Sequence, residues 1–394
     1  MQFPERYSNL PAYAFPRLRA LLDHHPAGGD VLHMSIGEPQ HPFPAFVTDV
    51  IAANAAGFNR YPPNDGAPEL LVAISDWLKR RYGVAVDAAT RILALNGTRE
   101  GLFNACLSIS PEVKNGPPAV LMPNPFYQVY AVASVTAGAE PVLVPATLET
   151  GFLPYFSAVS EDILNRTTIA YVCSPSNPQG AVASKDYWAD LIECAERHDF
   201  RIFADECYSE IYRNSPPPGA LEVAAEVGAD AERVVSFHSL SKRSNLPGLR
   251  SGFAVGGPRT ITAMKQLRNY AGAPLPLPLQ MAAAAVWSDE NHVVENRALY
   301  RAKFEAADAV FDGTQSYQPP DAGFFLWLPV NDGETATLKL WKETGVRVLP
   351  GAYLGRDVGG CNPGTGYIRA AMVAPIDEMT RGLEAIRRHL YEGV

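Results

Sequence analysis

Short apolar runs recur between residues 91 and 257 and alternate with stretches of helical spacing: "RILAL", "AVLMP", "EPVLVP", "TIAYVCS", "RIFADE", "RVVSFHS" and "SGFAVGG". Each is roughly 4–7 residues and apolar nearly throughout, the pattern of strands covered on both faces. The alternation predicts an α/β fold: a large domain with a mostly parallel, seven-stranded sheet between helices. Functional groups are then expected at the carboxyl ends of the strands. Ahead of this region lies a Pro- and Gly-rich arm with one short helix near residues 15–22. Helical spacing follows through "FPAFVTDVIAANA" and "APELLVAISDWLKRRYG", the second stopped by Gly83. Beyond residue 285 a long helix fits "NHVVENRALYRAKFEAADAVFDG", ended by Gly313; "GFFLWLPV", "GVRVLPG" and "GYIRAAMV" then read as strands of a smaller α+β domain. The expected division is an arm and part of the small domain at 1–45, a large domain at 46–284, and the rest of the small domain at 285–394.

Composition narrows the function. The chain has 394 residues, 47% hydrophobic and 19% charged, so it can bury a sizeable core and is not a disordered polypeptide. A net charge of −9 leaves no basic face for nucleic acid. The five cysteines show no CxxC spacing, which argues against a disulfide framework and for a reducing compartment. No run approaches the ~18 apolar residues needed to span a bilayer. The start "MQFPERYSNLPAYAFPRLRALL" lacks the basic and apolar segments of a signal peptide. The expectation is a cytoplasmic protein with no metal site.

Four predicted strands end in polar residues. After "RILAL", Asn96-Gly97-Thr98 opens a helix, and a helix N-terminus offers free N–H groups and a positive dipole end to an anion. After "TIAYV" comes "CSPSNPQG" with Asn177 in a turn. "RIFADECY" puts Asp205 at the end of an apolar strand, where a carboxylate is costly unless a donor or cation meets it. Finally, "SFHSLSKRSNLPGLRSG" carries Ser239, Lys242 and Arg250. Taken singly, these are an N-cap, a turn residue, a helix-capping acid and a solvated lysine. Falling in this order at successive strand ends, they form a constellation.

That constellation resembles the aspartate aminotransferase superfamily (class I and II), fold type I enzymes that use pyridoxal 5′-phosphate, from about Met34 to Arg369. The resemblance implies that Lys242 attaches the cofactor and shuttles the proton. It implies that Asp205 pairs with the pyridine nitrogen, Tyr208 and Asn177 bond the ring oxygen, and Tyr127 stacks on the ring. Gly97, Thr98, Ser239 and Arg250 would hold the phosphate, joined by Tyr61 from the partner subunit of a homodimer. Gly37 in "SIGEPQHP", Asn177 and Arg369 in "GYIRAAMV" would meet the substrate carboxylate. Two departures are visible: "NPQG" stands for the common "NPTG", and Arg99 follows Gly97-Thr98, where it would add to phosphate binding or turn towards a ligand. His238 has no assigned role.

Longer stretches, "YAFPRLRALL", "LNGTREGLF" and "APLPLPLQMAAAAVWSDENHV" among them, are similar to bacterial N-succinyldiaminopimelate aminotransferases. These exchange an amino group between N-succinyl-L,L-2,6-diaminopimelate and 2-oxoglutarate in lysine and diaminopimelate biosynthesis. Arg99, Arg17 or Arg19 is then expected to read the distal end of the substrate. The competing expectations are an aminotransferase for aspartate, alanine, aromatic acids or diaminopimelate itself, a C–S lyase of the same fold, or a ligand-binding regulator.

Overall fold

The computed structural model describes residues 4–10 and 12–392. Its twelve strands fall into three sheets. The largest contains β2 (Ile92–Leu95), β3 (Ala119–Asn124), β4 (Glu140–Pro145), β5 (Thr167–Cys173), β6 (Arg201–Asp205), β7 (Val234–Ser239) and β8 (Gly252–Val255). Their order is β2-β8-β7-β6-β5-β3-β4. All neighbours run parallel except β8, which is antiparallel to both β2 and β7. Each strand coincides with one of the seven apolar runs. The run "EPVLVP" is the exception in burial: β4 is an edge strand and only Val144 is buried.

The reversal of β8 brings distant segments together. Parallel strands deliver their carboxyl ends to one edge of the sheet, and an antiparallel strand delivers its amino end there. The segment before β8, with Arg250, therefore meets the segments after β2 and β7. The loop that makes the return holds Asn245 and Arg250 at φ 52° and 58°. Left-handed backbone at non-glycine residues costs on the order of 1–3 kcal/mol each and persists only where the surroundings fix it.

A second sheet, order β11-β12-β9, is formed by β9 (Phe325–Pro329), β11 (Leu349–Pro350) and β12 (Tyr367–Ala371), all antiparallel. Near it, β1 (Leu32–His33) pairs in parallel with β10 (Val346–Arg347). The helix Pro68–Tyr82 ends at Gly83 in the left-handed conformation, φ 69°, as the glycine stop predicts. The long helix spans Asn291–Val310. Apolar residues cluster separately about the two sheets: Trp77, Trp188, Trp287 and Phe253 against the large one, and Tyr300, Phe304, Phe324 and Leu328 beside the small one. Among the described residues no helix is long and apolar enough to cross a membrane.

Candidate active site

A cavity of about 450 Å3 opens where the carboxyl edge of the large sheet faces β12. Of the residues expected to bind cofactor or substrate, all line it except Gly97, Tyr61, Arg17 and Arg19. Each lining group arrives by a simple route. β2 runs into the helix Thr98–Ile109, whose N-cap is Gly97 at φ 86°. The glycine is required by contact as well as by backbone, because a Cβ there would lie 2.2 Å from a guanidinium nitrogen of Arg250. β7 runs into the four-residue helix Leu240–Arg243, and Ser239 caps it by accepting the Ser241 N–H at 3.1 Å. Lys242 sits on that helix, and its ammonium donates to the carbonyl of Gly37.

Asp205, at the end of β6, is buried, and its carboxylate accepts the hydroxyl of fully buried Tyr130 at 2.7 Å. Burial raises the Asp205 carboxyl above the usual carboxylate range, opposed by bonds from Cys207 and Tyr130. Tyr208 follows on the same turn, packed edge-on against Phe324. The turn is anchored from behind by Glu210, held between Arg81 and Arg297 at 2.7 Å each. Burial pushes the Lys242 amine down to about 8, with Arg369 and Arg250 adding to the effect.

Arg369, in mid β12, is fully buried and lies over Phe325. One Nη donates to Asn177 Oδ1 at 3.0 Å and the other to the Ser35 carbonyl at 2.7 Å, while Nε has no partner. No carboxylate of the described residues pairs with it, and burial lowers it to about 10. Arg99, Lys242, Arg250 and Arg369 outnumber the two acids in the lining, Asp205 and Glu38. The cavity is built for an anionic ligand that also meets a weakly basic amine.

Several expectations are adjusted. Asn177 does not present a free amide oxygen; it holds the guanidinium of Arg369. Arg99 donates to the phenol of Tyr127 at 2.8 Å. It stands where the cavity meets a second one of about 610 Å3 lined largely by apolar groups. Arg17 is not at the site: it lies over the ring of Tyr353, 3.7 Å from Glu334. Arg19 is exposed on the short helix Ala14–Leu22 and does not line the cavity. The arm reaches the site through Tyr13, Ala14 and Phe15, with Gln128 donating to the Ala12 carbonyl at 2.9 Å. Tyr61 is fully exposed. Sequence reasoning missed Tyr130, which has the helical spacing of any core aromatic, and the pair His238–Glu206, one on β7 and the other just past the end of β6.

The sequence model of the family "Aminotransferase class I and II" matches residues 29–386. An LL-diaminopimelate aminotransferase of Dehalococcoides mccartyi is 33% identical over 396 aligned residues, covering 97% of each chain. The structure of an aminotransferase from Neisseria meningitidis is similar at a TM-score of 0.93 and 38% identity, over 98% of this chain and 99% of that one. A probable N-succinyldiaminopimelate aminotransferase from Thermus thermophilus follows at 0.84 and 25%, over 96% and 100%.

Proposed function

The chain belongs to the class I and II aminotransferases, which use pyridoxal 5′-phosphate, and from that membership we propose that it exchanges an amino group between N-succinyl-L,L-2,6-diaminopimelate and 2-oxoglutarate. The observation that carries the amino-acid half of this reading is Arg369. It is a buried guanidinium without a carboxylate partner among the described residues, with its Nε unbonded, in the same cavity as the Lys242 amine. An α-carboxylate is the ligand that completes it.

The residues fit the cofactor. The close Gly97–Arg250 approach forms a cradle that a Cβ would fill, and Thr98 and Ser239 stand beside it. Asp205 would hold a proton on the pyridine nitrogen, Tyr208 and the amide N–H of Asn177 would bond the ring oxygen, and Tyr127 would cover the ring face. When bound, the cofactor supplies an aldehyde carbon that amines can join and a ring that accepts electrons. Arg369 and the Gly37 backbone orient the substrate carboxylate. The Lys242 amine removes the proton from the substrate Cα and returns it on the other side of the exchange. Tyr61, exposed and away from its own cavity, is assigned to the phosphate site of a second copy in a homodimer. The division at residues 45 and 284 is retained, with the two sheets as the cores of the two units.

The distal end of the substrate is assigned to Arg99, at the junction of the two cavities. Arg99→Ala is expected to lower kcat/KM for the succinylated substrate by roughly 10–100-fold, the worth of a charge-assisted hydrogen bond. Glutamate should lose less than about threefold by the same measure. Rates with both substrates check this, and equal losses would remove Arg99 from the role. The second reading, unsuccinylated LL-diaminopimelate, is favoured by the activity for which the Dehalococcoides relative is named and by Glu38, an acid at the cavity wall able to meet a distal ammonium. Rates with succinylated and free diaminopimelate, beside aspartate, alanine and tyrosine, decide between them.

The lowered Lys242 amine gives a pH prediction. The neutral amine is the nucleophile. At about 8 it is half neutral, where an ordinary lysine of pKa ~10.4 is neutral in less than ~1% of molecules at that pH. Labelling of Lys242 in the apo-protein by pyridoxal phosphate, trapped with borohydride and read by peptide mass, should rise with pH to a midpoint near that value. A midpoint near ~10 would contradict the buried setting.

A further inference from the structure

Two buried acids stand side by side at the end of β6, and the reaction uses one of them. Asp205 faces the cavity. Glu206 faces the other side of the sheet, where one carboxylate oxygen accepts the Ala220 N–H at 2.7 Å and the other lies 2.9 Å from His238 Nε2, a close approach outside hydrogen-bond geometry. Glu206 and His238 are each 2% exposed. The imidazole is enclosed by Trp77, Tyr82 and Phe253, with ring centroids at 5.0, 5.8 and 5.1 Å. Burying such a pair costs several kcal/mol in desolvation, and an apolar pair of similar volume is often as stable. Stability therefore gives little reason for it to be there.

Its position gives a better reason. His238 lies on β7 next to Phe237, the cross-strand partner of Asp205, and one residue before Ser239. The pair thus ties the end of the strand that carries Asp205 to the end of the strand that leads to Lys242. On the cavity side, the Tyr130 hydroxyl fixes one carboxylate oxygen of Asp205.

We propose that Glu206 and His238 are positioning residues for Asp205: by holding the ends of β6 and β7 in register they orient its carboxylate towards the pyridine nitrogen of the cofactor. They touch neither cofactor nor substrate. The proposal rests on the cofactor reading of the site, and it differs from a core-packing role in one measurable way. It acts through the ring nitrogen alone.

The test is equilibrium binding to the apo-protein of pyridoxal phosphate and of its 1-deaza analogue, in which C–H replaces the ring nitrogen. His238→Gln and Glu206→Gln are compared with wild type and with Asp205→Asn. Each pair variant is expected to weaken pyridoxal phosphate by about tenfold, the worth of one well-placed hydrogen bond to a charged group, and to leave the analogue within about twofold. Adding either change to Asp205→Asn should cost nothing further, because the carboxylate it orients is already gone. Equal weakening of both ligands, or additive losses with Asp205→Asn, would overturn the proposal in favour of packing. If His238→Gln does not fold, Glu206→Gln, which keeps an acceptor for the Ala220 N–H, carries the same comparison. Wild-type protein that bound neither ligand would overturn the cofactor reading and the proposal with it, a result distinct from loss of nitrogen selectivity alone.

Discussion

Lys242→Ala is expected to fold, to bind pyridoxal phosphate non-covalently, and to lose transamination by about 10^4-fold or more, at the upper range of what a positioned acid–base group contributes. The cradle formed by Gly97, Thr98, Ser239 and Arg250 does not involve the lysine side chain, so cofactor affinity should fall far less than turnover. The fold has little to lose, because the amine is buried without a carboxylate partner and its charged form is disfavoured there. The loss should divide into a covalent part and a proton-transfer part. Small primary amines added to the variant should restore some turnover by taking the place of the missing base, with a rate that follows amine basicity. Half-reaction spectra with glutamate provide the measurement. Transamination retained near the wild-type rate would refute the role of Lys242.

Arg369→Met should lower kcat/KM for every amino-acid substrate by roughly 10^3-fold, the scale of losing a buried charged partner for a carboxylate. The effect should appear for glutamate and for the succinylated substrate alike, unlike that of Arg99→Ala. Stability should move the other way or not at all. Burial presses the guanidinium down to about 10, so the unliganded protein bears a desolvation cost that methionine removes. Against this, the Ser35 carbonyl and the Asn177 amide each lose a donor, worth on the order of 1 kcal/mol apiece. The melting temperature of the apo-protein is therefore expected to stay near or above that of wild type. A large drop would mean that Arg369 serves the fold first.

The fold was legible because seven apolar runs and their spacing are local signals. Strand direction was not: nothing in "SGFAVGG" announces that β8 runs against its neighbours. The lining residues Thr98, Asn177, Asp205, Ser239 and Lys242 were legible at or just past strand ends, since a polar residue that ends a buried strand is conspicuous, whereas Gly37, Tyr127 and Arg369 came only with the family resemblance. What escaped was whatever depends on two distant segments. Asn177 reads as a turn residue until β12 brings Arg369 against it. Tyr130 reads as one more aromatic until β6 ends 2.7 Å from its hydroxyl. His238 lies within the most informative stretch of the chain, yet its partner Glu206 lies in another segment, just past the end of β6. Arg17 and Arg19 show the opposite error: charge in the right segment, pointing elsewhere, because the amphipathic helix Ala14–Leu22 turns Leu18 and Leu22 inward.

The antiparallel strand β8 is inserted between β2 and β7 although it is the last of the seven in the chain. Gly97 and Arg250, so close that a Cβ on Gly97 would meet the guanidinium, belong to segments that meet only after that insertion. A partly folded chain with the first six strands assembled lacks the anion grip. Loading of the phosphate thus reports on a completed sheet, and a ligand that binds only the native state draws the folding equilibrium towards it by mass action.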